Sequence, residues 1–241
     1  METFFDPKIP TIFLSLFKSD ESFGLHLADA ILPQLSPFAN LQCMKSEINV
    51  DDCSIIEAQS SPIVEFACID RCGQKRVIAI WLAWSETFRS KIVLKAKRAA
   101  AAAELPVHTI CFANLIIDDT SESYCQRYDF SDGSDMLRGS EAQDLIVVEL
   151  PKFKVADMQA PTVAERWLSF LSDINGDICE APSYLLDDPE TAAAIDLIKR
   201  RAESEARSGS CLRFLSSVDR HLTQIANLDV DMGLLRRLYM I

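Results

Sequence analysis

The most constraining feature of this sequence is a pair of apolar, β-branched runs separated by a short polar turn. The runs cover Ile63–Ile69 and Arg76–Leu82, and Gly73 lies in the turn between them. Runs of this length and composition, joined by a few residues that include glycine, are typical of a β-hairpin. The sequence therefore predicts two antiparallel strands at this point of the chain.

The turn also predicts the register of the hairpin. A three-residue loop with its glycine in the left-handed conformation pairs Asp70 with Gln74, and Glu65 then pairs with Ala79. Trp81 follows on the same face of the second strand. Opposed side chains lie roughly 4.5–5.5 Å apart at Cβ, so carboxylates at both positions 65 and 79 could share one divalent cation. This chain supplies one of the two.

The hairpin resembles the core of the PD-(D/E)XK nuclease-like transposase family, the recombination-promoting (Rpn-like) nucleases. Members of that family carry an Asp on the first strand, a polar-Gly turn and Glu-x-Gln on the second strand. Aligned without gaps, these features fall on Glu65, Gly73, Ala79 and Trp81. The first position alone keeps its carboxylate.

Other segments resemble the same family in the same order along the chain. They lie at residues 27–33, 84–96, 148–154, 165–171 and 188–195. The resemblance implies a restriction-endonuclease-like mixed sheet flanked by helices, with a helical C-terminal third. It divides the chain into a nuclease-like core over 1–160 and a helical region over 161–241. The implied ancestral activity is Mg²⁺-dependent DNA cleavage linked to recombination or mobile elements.

The catalytic elements that the resemblance implies are largely missing. Ala79 cannot bind a metal, and the only polar atom of the Trp81 side chain is an N–H donor. The family's Asp-x-x-Phe-Lys start is best matched at residues 10–14, which lack both the Asp and the Lys. These losses predict a degenerate site that no longer hydrolyses DNA.

Glu65 is the residual site residue, and it would be a Mg²⁺ ligand if the protein is active. The best candidate for a second, migrated carboxylate is Glu86, and Glu47 and Asp70 are the others. The alternative is that Glu65 is a strand carboxylate paired with a basic neighbour. That neighbour would be Lys75, Arg76 or a residue on the following helix.

The net charge of −12 argues against a general nucleic-acid binder, but the charge is unevenly distributed. Eight basic residues and one acid, Glu86, lie between Arg71 and Arg98, which gives +7. The other residues then sum to −19, since −12 minus +7 is −19. The basic segment includes the hairpin and the helix predicted after it.

Basic residues of this segment form a candidate DNA-binding stripe. Lys91, Lys95 and Arg98 are spaced to share one helix face, and Arg89 and Lys75 extend the set. Such a stripe could follow DNA phosphates beside the former active site. The alternative is a solvated face, or a surface that pairs with the protein's own acidic half.

Composition favours a cytoplasmic protein without a membrane span. No apolar run approaches the ~18 residues that cross a bilayer, and the first residues lack a signal-peptide pattern. Eight cysteines occur without CxxC pairs, which predicts reduced thiols rather than a zinc site. The histidines at 26, 108 and 221 lie in unrelated segments, and His108 is expected to be a satisfied core residue.

Strands followed by a helical C-terminal third predict an α/β fold. A helix over Glu21–Leu32 is expected to be capped by Ser19 or Asp20 and ended by Pro33. The other predicted strands lie near 41–48, 107–117, 124–130 and 144–150, and the other helices over 85–105, 162–172, 189–208, 211–228 and 232–239. Asp188 and Pro189 are predicted to start the helix over 189–208. We interpret residues 149–153 as structural rather than catalytic, with Pro151 fixing the point at which the chain leaves the last strand.

Three functional hypotheses follow. The first is a PD-(D/E)XK transposase-family protein that has lost cleavage and is retained as a DNA- or protein-binding module. The second is an active Mg²⁺-dependent endonuclease with a migrated carboxylate. The third is an acidic protein-interaction or self-associating module without a nucleic-acid role, for which the tail over 232–239 would suit docking.

Overall fold

We describe the fold from a computed structural model. It describes residues 4–35, 42–43, 63–69, 73, 75–83, 105, 107–129, 144–156, 159–175, 178 and 180–208. The helices in this part of the chain are α1 (Pro10–Ser19), α2 (Glu21–Leu35), α3 (Val163–Asp173), α4 (Ser183–Leu186) and α5 (Pro189–Ser208). The strands are β1 (Gln42–Cys43), β2 (Ile63–Ile69), β3 (Lys75–Ala83), β4 (Val107–Ala113), β5 (Cys125–Asp129) and β6 (Asp144–Glu149). A 3₁₀ turn, Leu150–Lys152, follows β6 directly.

The strands form one mixed sheet in the order β1-β2-β3-β4-β6-β5. β2 pairs antiparallel with β1 and β3, and β5 pairs antiparallel with β6. The central neighbours β3, β4 and β6 run parallel. The prediction of a mixed α/β fold with a helix-flanked sheet is confirmed.

The helices cover one face of the sheet. Alternate residues on a strand point to opposite faces, and the even-numbered residues of β2, β3, β4 and β6 point to the helices. Their buried apolar side chains meet those of α1, α2, α3 and α5 in the main core. Phe66 of β2, for example, contacts Phe17 of α1 edge-to-face, with ring centroids 6.5 Å apart.

The opposite face of the sheet carries a second apolar cluster. Its buried members are Ala79, Trp81, Ala83, Val107, Cys111, Ala113, Leu145 and Val147. Both faces of the central strands are therefore buried, and all seven residues of β4 are buried, including the polar His108 and Thr109.

The helices α2 and α5 begin at their predicted N-terminal caps. Asp20 Oδ1 accepts a hydrogen bond from the backbone N–H of Ser22 at 2.9 Å. Asp188 Oδ2 accepts from the backbone N–H of Thr191 at 3.0 Å, and α5 begins with Pro189 as predicted. The hydroxyl of Ser19 bonds to its own helix instead, at the carbonyl of Ser15.

Two expected boundaries were wrong, and two helical segments were missed. α2 continues through Pro33 to Leu35, although a proline inside a helix removes one backbone hydrogen bond and crowds the carbonyl four residues earlier. The apolar run after residue 107 leaves the sheet at Ala113 rather than at residue 117. The α4 turn, and the helical form of Pro10–Ser19, were not predicted.

Several predictions lie outside the described residues. They are the helix over 85–105, most of the strand near 41–48, and the helices over 211–228 and 232–239. Among the described helices, none is long and apolar enough to cross a membrane.

Candidate functional site

The register of the β2–β3 hairpin is the one predicted from the turn. Glu65 pairs with Ala79, and Ile63 pairs with Trp81. Gly73 has φ +78°, the left-handed conformation that favours glycine. Asp70 and Gln74 themselves lie outside the described residues.

Glu65 shares its sheet face with Ala79 and Trp81, and that face is packed with apolar side chains. Trp81 is 1% exposed and belongs to the second apolar cluster. Its neighbour on β4 is Cys111, which is followed on β6 by Val147. Position 81, which the resemblance aligns with the family's glutamine, is therefore a core position filled by an indole ring.

Two residues considered as partners of Glu65, Lys75 and Arg76, lie away from it. Arg76 lies on the opposite face of the sheet from Glu65, because odd and even residues of paired strands alternate. Lys75 is exposed and pairs with Ile69, about 13 Å along the strand from the level of Glu65 at ~3.3 Å per residue. Of the basic neighbours considered as partners of Glu65, Arg76 is thus on the wrong face, and a partner on the following helix stays a prediction.

Arg76 instead contacts His108 inside the main core. Arg76 Nη1 lies 3.2 Å from His108 Nε2, and the two residues are 4% and 0% exposed. A guanidinium only donates, so Nε2 accepts and the ring proton lies on Nδ1. The prediction that His108 is a satisfied core residue is confirmed.

The remaining predicted site residues lie outside the described part of the chain. They are Glu86, the candidate migrated carboxylate, and the basic residues Arg89, Lys91, Lys95 and Arg98. Their placement relative to Glu65 therefore stays a prediction.

A buried ion pair at the end of β6 holds the loop that follows β4. Glu149 Oε2 lies 3.0 Å from Lys152 Nζ and accepts from the backbone N–H groups of Ile117 at 2.8 Å and Asp118 at 3.4 Å. Lys152 Nζ also donates to the carbonyls of Asp118 and Ser121. The ammonium group of Lys152 therefore donates to two backbone carbonyls and one carboxylate, which supports a structural role at the end of the strand.

Asp118 lies in this loop and is held ionised by hydrogen bonds. The side chain and the backbone N–H of Thr120 donate to its Oδ1 at 2.6 and 2.9 Å, and Gln126 Nε2 donates to Oδ2 at 3.0 Å. The hydrogen bonds from Thr120, with that from Gln126, lower the pKa of Asp118 from 3.8 to about 2. Its two oxygens are therefore occupied by donors from the loop and from β5.

A third polar group joins α2, α3 and α5. His26 of α2 lies with Nε2 3.7 Å from Asp188 Oδ1 and 3.6 Å from Glu190 Oε2. The ligand atoms of these three residues all lie within 4.8 Å of one another, and no other such group of three or more occurs among the described residues. The arrangement could hold a metal ion.

A hydrogen bond from the indole of Trp167 sets the tautomer of the neutral His26 ring. Trp167 Nε1 donates to His26 Nδ1 at 2.9 Å. Since an indole N–H cannot accept, Nδ1 carries a lone pair and the neutral ring carries its proton on Nε2. That N–H points towards the two carboxylates, at distances longer than the usual 2.7–3.2 Å of a direct hydrogen bond.

Sequence reasoning missed this cluster. Asp188 was predicted as a helix cap, but nothing in the local pattern links it to a histidine far away on α2. The contact arises from helix packing, which periodicity does not specify. The local sequence offers no signal that would have found it.

The fold defines a mixed α/β protein with helices on one face of its sheet and an apolar cluster on the other. A scan against protein-family models, and searches of the curated proteins and the solved structures, found no match to this chain.

Proposed function

We propose that this chain is a PD-(D/E)XK transposase-family protein that has lost Mg²⁺-dependent DNA cleavage and is retained as a DNA- or protein-binding module. The observation that carries the proposal is the burial of Trp81 on the face of Glu65, beside Ala79. These are the positions at which the hairpin resembles the family's catalytic strand.

Loss of hydrolysis follows from the chemistry of the ion. Mg²⁺ binds oxygen ligands in near-octahedral geometry and activates a water only when the protein holds the ion in place. Glu65 offers one carboxylate, its partner Ala79 offers a methyl group, and the indole of Trp81 fills adjacent space in an apolar cluster. A second carboxylate from Glu86 would be needed for the alternative, an active endonuclease.

The binding role is supported by the charge of the segment from Arg71 to Arg98. Burial of Arg76 against His108 removes one cation from the available surface, so the segment's +7 becomes +6. Lys75 is exposed on the hairpin. A local basic surface on a protein of net charge −12 would bind DNA weakly and with strong salt dependence.

The experiment measures binding of a labelled DNA duplex by fluorescence anisotropy, in EDTA, over a range of salt concentrations. The test variant carries Lys91→Gln, Lys95→Gln and Arg98→Gln. Each phosphate contact adds about 0.9 to the slope of log K against log salt, so the slope should fall by about 3.

A matched control carries Lys199→Gln, Arg200→Gln and Arg201→Gln on α5, and it should keep the slope of the wild type. Equal losses in the two variants would indicate a general charge effect and contradict a specific DNA surface. No binding at low salt would favour the protein-binding role, which light scattering and partner capture would then address.

A further inference from the structure

We propose that His26, Asp188 and Glu190 form a binding site for a divalent transition-metal ion of the Zn²⁺ class. The three side chains come from two helices, α2 and the first turn of α5, with Asp188 as the cap of α5. One imidazole nitrogen and two carboxylate oxygens are a ligand set that suits Zn²⁺ and its neighbours, whereas Mg²⁺ and Ca²⁺ prefer oxygen alone.

The distances fit a shared ion better than direct hydrogen bonds. Nε2 lies 3.7 and 3.6 Å from the two carboxylate oxygens. Two ligands that each lie ~2.0–2.2 Å from a tetrahedral metal are separated by about 3.4 Å. Small side-chain movements would therefore close the site, and a water would complete four-coordination.

The carboxylates of Asp188 and Glu190 are positioned to bind an ion. Asp188 Oδ2 is held by the backbone N–H of Thr191, and the other oxygen faces His26. The Asp188 side chain is 7% exposed, whereas those of His26 and Glu190 are 27% and 38% exposed. The site thus has one rigid buried ligand and an open side through which a hydrated ion can enter.

Metal binding requires a proton rearrangement on His26. Nε2 must release its proton to bind the ion, and Nδ1 takes up a proton from water, so the imidazole stays neutral. Nδ1–H then opposes the N–H of Trp167, and the hydrogen bond between the two rings is lost. In a metal-bound histidine the second ring nitrogen ordinarily donates a hydrogen bond to an acceptor. Trp167 offers only an N–H, so its indole weakens metal binding by His26.

This opposition has a measurable consequence. One ordinary hydrogen bond corresponds to about a two- to tenfold change in an equilibrium constant. Trp167→Phe removes the N–H and keeps an aromatic ring in the core, so it should tighten metal binding by that factor. A structural contact without metal would predict no such effect.

The test is calorimetric titration of the EDTA-treated full chain with Zn²⁺. We expect one ion per chain at this site, and Glu190→Gln should weaken binding by more than about tenfold, since even changes outside the ligand shell cost that much. Glu190 is partly exposed, so this variant should fold; His26→Gln tests the nitrogen ligand. Asp187→Asn removes the same charge from an exposed neighbouring residue and should bind like the wild type.

Co²⁺ provides a second readout because the chain has eight cysteines. The proposal predicts a visible Co²⁺ spectrum without thiolate-to-metal charge transfer. Thiolate absorption, equal effects of Glu190→Gln and Asp187→Asn, or no binding at all would overturn the site. Unchanged affinity in Trp167→Phe would overturn the proton rearrangement.

Discussion

Gly24 of α2 allows the helix to lie directly on β2. A methyl group at this position would lie 2.9 Å from Cε1 of the Phe66 ring and closer still to Cζ. The ring is fully buried between helix and sheet, so displacing it would disturb closely packed neighbours. The absence of a side chain at Gly24 therefore sets how closely α2 approaches the sheet.

Gly24→Ala should destabilise the protein by about 1–3 kcal/mol, because it forces an overpacked contact. In an exposed helix the same change would stabilise by up to ~1 kcal/mol, so the sign of the effect is diagnostic. Urea denaturation gives the free energy of unfolding. Phe66→Leu in the Gly24→Ala background should recover part of the loss, and a Gly24→Ala protein as stable as the wild type would contradict the contact.

Asp118 gives the loop after β4 a defined pH dependence. Its pKa is lowered to about 2 in the folded protein from an ordinary value of 3.8, first by hydrogen bonds from Thr120. A carboxyl whose folded pKa is lowered stabilises the fold above its unfolded pKa, and that contribution is lost as the pH falls through the folded value. The stability difference between wild type and Asp118→Asn should therefore shrink between about pH 4 and pH 2.

The measurement is the denaturation midpoint of both proteins over that pH range. Asp119→Asn is the matched control, since it removes the same charge from the next, exposed residue. If both variants show the same pH profile as each other, the effect is one of net charge and the hydrogen bonds of Asp118 are not its cause.

At the scale of elements, α3 depends on its N-terminal cap. Thr162 Oγ1 accepts from the backbone N–H of Glu165 at 3.2 Å, and Glu165 Oε2 accepts from the backbone N–H of Thr162 at 2.8 Å. This reciprocal pair is a capping box and satisfies two N–H groups that a helix leaves unpaired. It sets the start of the helix that carries Trp167 into the core.

Thr162→Ala should cost about 1 kcal/mol of unfolding free energy, within a range of roughly 0.5–2 kcal/mol. Thr162→Ser keeps the hydroxyl and should cost much less. Thermal and urea denaturation measure both variants. A serine variant as unstable as the alanine variant would show that the cap hydroxyl is not the source of stability.

Elements defined by local chemistry could be predicted, and those defined by packing could not. The hairpin register followed from the turn around Gly73, and the starts of α2 and α5 followed from Asp20 and Asp188. β4 was predicted too long, because Leu115 and Ile117 are apolar but pack on the second cluster from a loop. The loop leaves the sheet after Ala113. The carboxylate of Glu149 then holds it by accepting hydrogen bonds from the backbone N–H groups of Ile117 and Asp118.

The candidate sites show the same division. The pairing of Glu65 with Ala79 could be predicted because a strand register is a count of residues. The cluster of His26, Asp188 and Glu190 could not, because it depends on how α2 and α5 pack. Arg76 was one of several possible partners of Glu65, and strand parity, which proximity in sequence does not reveal, places it on the other face.

At the scale of the whole molecule, the sheet has two unlike faces. The helices α1, α2, α3 and α5 bury one of them. The other carries Glu65 beside an apolar cluster built around Trp81. The proposed loss of cleavage belongs to this second face, whose centre is an apolar cluster and not a polar surface open to water and metal.

The most direct test of this account is cleavage of supercoiled plasmid DNA with Mg²⁺ or Mn²⁺ by the wild type, Glu65→Ala and Glu86→Ala. The account predicts that the wild type nicks no faster than either variant or buffer alone. Metal-dependent nicking by the wild type that Glu65→Ala abolishes would contradict it, and equal loss in Glu86→Ala would identify the second carboxylate.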